Sequence, residues 1–170
     1  MHPTAYDNAN LFYTQYISPH IIKIKPQVVE FGSYDVNGSL RPIFHNCEYI
    51  GIDISHGPGV DVVYDGELAP FDDNSIDIVL SSSNFEHDEC FWNTFLEMCR
   101  ILKKDGFLYI NAPSSGPYHG YPGDCWRFYE DSWKALVKWA KKNGHNMEIM
   151  ESYIDERGYW RDNVCIFMKK

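Results

Sequence analysis

Four apolar runs in this chain end on residues that can bind or react. VVEFGS (28–33) ends on Glu30, Gly32 and Ser33, and EYIGIDI (48–54) on Asp53 and Ile54. VDVVYDG (60–66) ends on Asp65 and Gly66, and SIDIVLSSS (75–83) on Ser81 to Ser83. Gly32 lets the backbone turn sharply and approach a ligand. Asn37–Gly38, a little further on, is a turn dipeptide that tolerates positive φ. Asp53 follows the Gly32 turn by roughly 20 residues, the distance expected of a ribose-binding carboxylate. Its two oxygens can accept from both ribose hydroxyls. Two histidines, His87 and His119, are of the type that moves protons near neutral pH.

His119 belongs to the most unusual stretch, GPYHGYPGDCWRFY (116–129). It sets Asp124 and Arg127 among Tyr118, Tyr121, Trp126 and Phe128. A long loop after a buried strand is a natural place for substrate contacts. It reads either as a lid or wall over a substrate or as an aromatic loop packed on the sheet. In the second case Arg127 pairs structurally with Asp124 or Glu130.

The elements that must position these residues follow from the pattern. Residues 6–17 read as a short aromatic helix and 27–31 as the first strand. Residues 39–45 read as a short helix capped by Ser39. Strands follow at 48–53, 60–65 and 75–83. A helix over 89–103, with Trp92, Phe95, Cys99 and Leu102 on one face, closes at Asp105–Gly106. A fifth strand (106–113), a helix from Asp131 to Gly144, and strands at 147–154 and 163–170 complete the chain. Several strands are continuous apolar runs, as expected of a parallel sheet covered on both faces. The expected fold is an α/β, doubly wound, mostly parallel seven-stranded sheet with an antiparallel C-terminal edge hairpin, in one domain over 1–170. Ligands of such a sheet bind at the carboxyl ends of its strands.

Composition narrows the function. The 170 residues are 44% hydrophobic and 23% charged, ordinary for a globular domain. The net charge of −9 and the lack of a basic stripe argue against nucleic acid. A small polar or cationic ligand suits that charge. The five cysteines form no CxxC pair and read as reduced, in keeping with a cytoplasmic location. No run approaches a membrane span and no signal peptide is apparent. No His/Asp/Glu cluster at ligand spacing argues for a metal, and the oligomeric state is open.

The stretches VVEFGS, YIGIDIS, VDVVYDGELAPFDDNSIDIVLSSSNFEH and FLEMCRILKKDGFLYINAPS carry a resemblance. In order and spacing they are similar to class I S-adenosylmethionine-dependent methyltransferases of the small-molecule type. LAPFDDNSIDIV, then EH, then ILKKDGFLYI are the most specific part. The resemblance implies S-adenosylmethionine as cofactor and in-line methyl transfer to a small-molecule or sugar-like acceptor. It implies that Glu30, Gly32 and Ser33 line the methionine end, with Ser81 beneath it. Asp53 and Ile54 would meet the ribose, and Asp65 and Gly66 the adenine edge. His119, and after it His87, would take the acceptor proton. Tyr118, Tyr121, Asp124, Trp126 and Arg127 would contact the acceptor.

Two departures from the family pattern stand out. Only Gly32 of three alternating glycines is in register, with Tyr34 and Val36 at the other places, and SHGPGV replaces the helix after the second strand. A non-catalytic binding module on the same fold therefore stays open. A nicotinamide oxidoreductase would want a fuller glycine turn opening a long helix. A protein or nucleic-acid methyltransferase would want a basic groove.

Overall fold

The computed structural model describes residues 2–20 and 25–170. Its strands are β1 (Gln27–Phe31), β2 (Glu48–Asp53), β3 (Val62–Val63), β4 (Ile76–Ser82), β5 (Leu102–Pro113), β6 (Met147–Asp155) and β7 (Asp162–Lys169). They form one sheet in the order β3-β2-β1-β4-β5-β7-β6. The first five are parallel, and β7 runs antiparallel to both β5 and β6. The expected α/β sheet with its antiparallel C-terminal hairpin is thus observed. β7 lies inside, against β5, and β6 is the edge.

Side-chain alternation explains the continuous apolar runs. Val29, Phe31, Val79, Leu108, Ile110, Cys165 and Phe167 point to one face. Their chain neighbours Val28, Leu80, Tyr109, Val164 and Ile166 point to the other. Successive strand residues face opposite sides, so a strand buried on both must be apolar throughout. The first face is covered by α2 (Phe91–Ile101) and α3 (Ser132–Lys142), through Phe95, Met98, Trp133 and Leu136. The second is covered by α1 (Pro3–Phe12) and the turns at 40–44, through Phe12, Leu40 and Phe44.

Several boundaries differ from expectation for local reasons. α1 starts at Pro3, which suits a first helical position, and continues as a π-helical turn at Tyr13–Ile17. Residues 39–45 form successive i to i+3 turns rather than a helix. Ser39 Oγ still accepts from the Arg41 N–H at 3.1 Å. β3 is only two residues long, and just ahead of it the Asp61 carboxylate, not a strand carbonyl, accepts the Gly51 N–H at 2.7 Å.

α2 stops at Ile101, short of Asp105–Gly106, and the chain passes directly into β5. Its last carbonyls are claimed from outside. Asn74 and Ser75 N–H groups donate to Arg100 and Ile101 (3.0 and 2.9 Å), and Lys169 Nζ donates to Cys99 O at 2.6 Å. That satisfies the carbonyls a helix end leaves open, with a cation at its negative pole. Asp131 precedes α3 but makes no side-chain cap; its carboxylate accepts from Lys134 instead, at 2.8 Å.

Candidate cofactor and acceptor cleft

The carboxyl ends of β1, β2 and β4 open into one cleft of about 1080 Å³, a generous size for a small-molecule site. Of the residues singled out in the sequence, Glu30, Gly32, Ser33, Asp53, Ile54, Asp65, Gly66, His87, His119 and Tyr121 line it. Seven carboxyl groups face it (Glu30, Asp53, Asp65, Glu67, Glu86, Asp88, Glu89), and among the described residues no lysine or arginine does. The five that reach solvent, Asp53, Asp65, Glu67, Asp88 and Glu89, give a wall that attracts cations and repels polyanions, whereas burial favours the neutral acid at Glu30 and Glu86.

The β1 end is tightly built. Glu30 is buried and accepts from the Tyr49 hydroxyl at 2.5 Å. Burial pushes its carboxyl up to about 7, although the Tyr49 bond pulls the other way. Gly32 holds φ +77°, and a Cβ there would sit 2.3 Å from Asn84 Cγ. No side chain but hydrogen fits that position. Tyr34, at one missing glycine, packs its ring on Gly57. Gly38 has φ +129°, and its N–H donates to Asp35 Oδ1 at 2.6 Å, so the displaced Asn–Gly turn does form part of the wall.

Asp53 accepts from Tyr34 N–H (3.2 Å) on one oxygen and Ser55 N–H (3.0 Å) on the other. Each oxygen keeps a second lone pair for a ligand hydroxyl. Asp65 Oδ1 accepts from Leu68 and Glu67 N–H groups, which hold its carboxyl below the usual range.

The β4 and β5 loops form the opposite wall. Ser81 is buried beneath it, and its hydroxyl accepts from Asn84 at 3.4 Å; Ser82, Ser83 and Asn84 provide the lining instead. His119 Nδ1 faces Asp124 Oδ2 at 3.0 Å. Arg127 grips the same carboxylate with both terminal nitrogens, at 2.5 and 2.7 Å. That clamp holds the Asp124 carboxyl far below the usual range. Asp124 and Arg127 therefore stand behind His119 rather than on the cleft surface. The structural pairing of Arg127 with Asp124 is the one formed.

Trp126 packs edge-on against Phe91 and Trp92. Tyr118 points to solvent, 77% exposed. Neither lines the cleft, whereas Tyr121, Pro122 and Gly123 do.

Some lining residues escaped the sequence reading. Glu86 is buried, with its carboxyl pushed up to about 8 by burial. It directly follows the β4 polar run, beside His87, and that adjacency was its only signal. His2 and Trp160 reach the cleft from the two ends of the chain. His2 is anchored on Asp162 at 2.9 Å, and Trp160 lies against the His119 ring, with centroids 4.5 Å apart. No local pattern marks either.

Comparison with known proteins bears on the fold and family. A methyltransferase domain family model matches residues 36–110. An uncharacterized methyltransferase of Mycobacterium tuberculosis is 33% identical over 89 residues, 52% of this chain and 35% of that protein. The match thus spans about a third of the length of such curated relatives.

Among solved structures, a Burkholderia thailandensis 1,6-didemethyltoxoflavin-N1-methyltransferase with bound S-adenosylhomocysteine matches at TM-score 0.69 and 14% identity. That match covers 98% of this chain and 78% of the other. The cyclase SpnF matches at TM-score 0.66 and 12% identity, covering 97% of this chain and 80% of the other. At such identities the likeness speaks for the fold alone. The resemblance drawn from the sequence motifs is borne out.

Proposed function

We propose that this protein, similar to class I methyltransferases in fold and over residues 36–110 in sequence, binds S-adenosylmethionine and methylates a small-molecule acceptor. The observation that carries this reading is the acidic series Glu30, Asp53 and Asp65 along one wall, with no lysine or arginine in the lining among the described residues. The cofactor combines a sulfonium and an amine with a ribose and an adenine. Asp53 would hold the ribose hydroxyls through its free lone pairs. Glu30, Gly32 and Ser33 would receive the methionine end, where Ser33 Oγ is buried and lacks a protein partner. Asp65 and Gly66 would border the adenine, beside Ile54.

The cofactor supplies an electrophilic methyl group with a good leaving group. The protein's share is chiefly alignment, an effect that can be worth ~7–11 kcal/mol. The β4 and β5 loops supply the acceptor wall, with Tyr121 at its rim. His119, oriented by Asp124, presents Nε2 to take a proton from an acceptor hydroxyl or amine, and His87 stands next to it, ring centroids 4.9 Å away. The test is transfer of labelled methyl from S-adenosylmethionine to a panel of small alcohols, sugars and amines. Transfer that disappears in Asp53→Ala supports the reading; binding of cofactor without transfer to any acceptor favours a binding module. Tyr34 and Val36, standing where two further glycines of the family pattern would be, favour that second reading.

A further inference from the structure

The acceptor wall contains a cluster that proton transfer alone does not account for. Glu86, His87 and His119 each place one ligand atom within 4.8 Å of the other two. They come from two loops that are tied together. The Glu86 carbonyl accepts from Cys125 N–H (2.6 Å) and Trp126 N–H (3.2 Å), and the Trp126 indole donates to Asp88 O at 2.9 Å.

Both histidines are set in the same tautomer. His87 Nδ1 faces the Gly123 carbonyl at 2.5 Å, and His119 Nδ1 faces the Asp124 carboxylate at 3.0 Å. Neither partner can donate, which favours the hydrogen on each Nδ1; Arg127 Nη2, a donor, stands further from His119 Nδ1, at 3.4 Å. The neutral rings then present Nε2 lone pairs. His87 Nε2 lies 3.8 Å from Glu86 Oε1, and His119 Nε2 has no hydrogen-bond partner among the described residues. Glu86 is 2% exposed, and its Oε2 is buried without a partner. A buried acceptor left unsatisfied has room for a water or an ion as its partner.

We propose that Glu86, His87 and His119 bind a divalent cation of the first transition row, leaving an open position for the acceptor's oxygen. Two imidazoles disfavour magnesium and calcium, which take oxygen ligands. Three protein ligands with a free position is the pattern of catalytic zinc rather than structural zinc. Nδ1 donation to a carboxylate or carbonyl is the outer-shell arrangement that orients metal-binding histidines. Zinc–nitrogen bonds of ~2.0–2.1 Å place tetrahedral ligand atoms roughly 3.3 Å apart. Metal binding would draw the widest pair, at up to 4.8 Å, together by roughly 1.5 Å.

The cation's role rests on the methyl-transfer reading. An acceptor hydroxyl bound to it would have a lowered pKa and release its proton to water, relieving His119 of that task. Binding of the cation is independent of that reading.

The test uses chelator-treated, tag-free protein, titrated with zinc chloride and, for visible absorption, with cobalt chloride; magnesium chloride is the comparison. One equivalent of zinc and one of cobalt should bind, and magnesium should not compete. His87→Ala, His119→Ala and Glu86→Gln should each weaken binding by roughly tenfold or more. His45→Ala, at an exposed turn, should not. Absence of binding, or binding undiminished in both histidine variants with native circular dichroism, would overturn the proposal. Should one variant fail to fold, the wild-type cobalt spectrum and the other histidine variant still decide. S-Adenosylmethionine titrated into the chelated protein separates the two readings. Cofactor binding without cation binding sinks the cation site alone; cation binding without cofactor sinks methyl transfer alone.

Discussion

Asp124 Oδ2 meets the Nδ1 of His119 at 3.0 Å while Arg127 holds the same carboxylate with two hydrogen bonds. A histidine near the middle of a long loop is thereby fixed in both orientation and tautomer. Asp124→Asn keeps the shape but offers an amide that can donate to Nδ1, favouring the wrong tautomer. Methyl transfer should fall by ~10–100-fold, with S-adenosylmethionine affinity nearly unchanged. Steady-state kinetics beside cofactor titration checks the split; an equal loss in both would indicate a general collapse of the loop.

Asp124→Ala should do more, because it strands the Arg127 guanidinium. Its side chain is 19% exposed, so water offsets part of the loss. A cost of about 3 kcal/mol is expected, at the lower end for a broken buried pair. Urea unfolding measures it, and a cost below about 1 kcal/mol would show the clamp to be ornamental to stability.

Gly32→Ala tests the cradle. The new methyl would collide with Asn84, and φ +77° strains any L-residue. Destabilisation of about 1–3 kcal/mol and loss of cofactor binding are expected together. Thermal unfolding and calorimetry check both. A variant of wild-type stability that still binds would show the β1 turn to be looser than described.

Glu30 gives the protein a pH signature. Its folded carboxyl keeps the proton up to about 7, against 4.5 for the unperturbed group. The folded state therefore binds the proton more tightly. This contribution is full below pH 4.5 and is lost as pH rises through about 7. Glu30→Gln cannot ionise, so its stability should decline less than that of wild type across this interval. Parallel slopes for the two proteins would show that Glu30 does not titrate there.

Much of this architecture was legible because strand ends are marked locally. An apolar run that stops at Glu30, Asp53 or Asp65 announces both a buried strand and a polar rim. Where the deciding partner is distant, the sequence was mute. The end of α2 is set by Lys169 and Asn74, and the start of β3 is met by a carboxylate of its own loop. On the acceptor side, the pairing of Glu86 and His87 with His119 depends on two loops meeting through Cys125 and Trp126. Spacing along the chain carries no trace of that. His2 and Trp160 arrive from opposite ends for the same reason.

The central claim is that the carboxylates at the strand ends hold S-adenosylmethionine. Isothermal titration of wild type and Asp53→Ala with S-adenosylmethionine and S-adenosylhomocysteine tests it most directly. The account predicts binding in the micromolar range, weakened by roughly tenfold or more in the variant, since a charged acceptor's hydrogen bond is worth ~1.5–3 kcal/mol. A folded wild-type protein that binds neither compound, or an Asp53→Ala variant that binds as well as wild type, would contradict it.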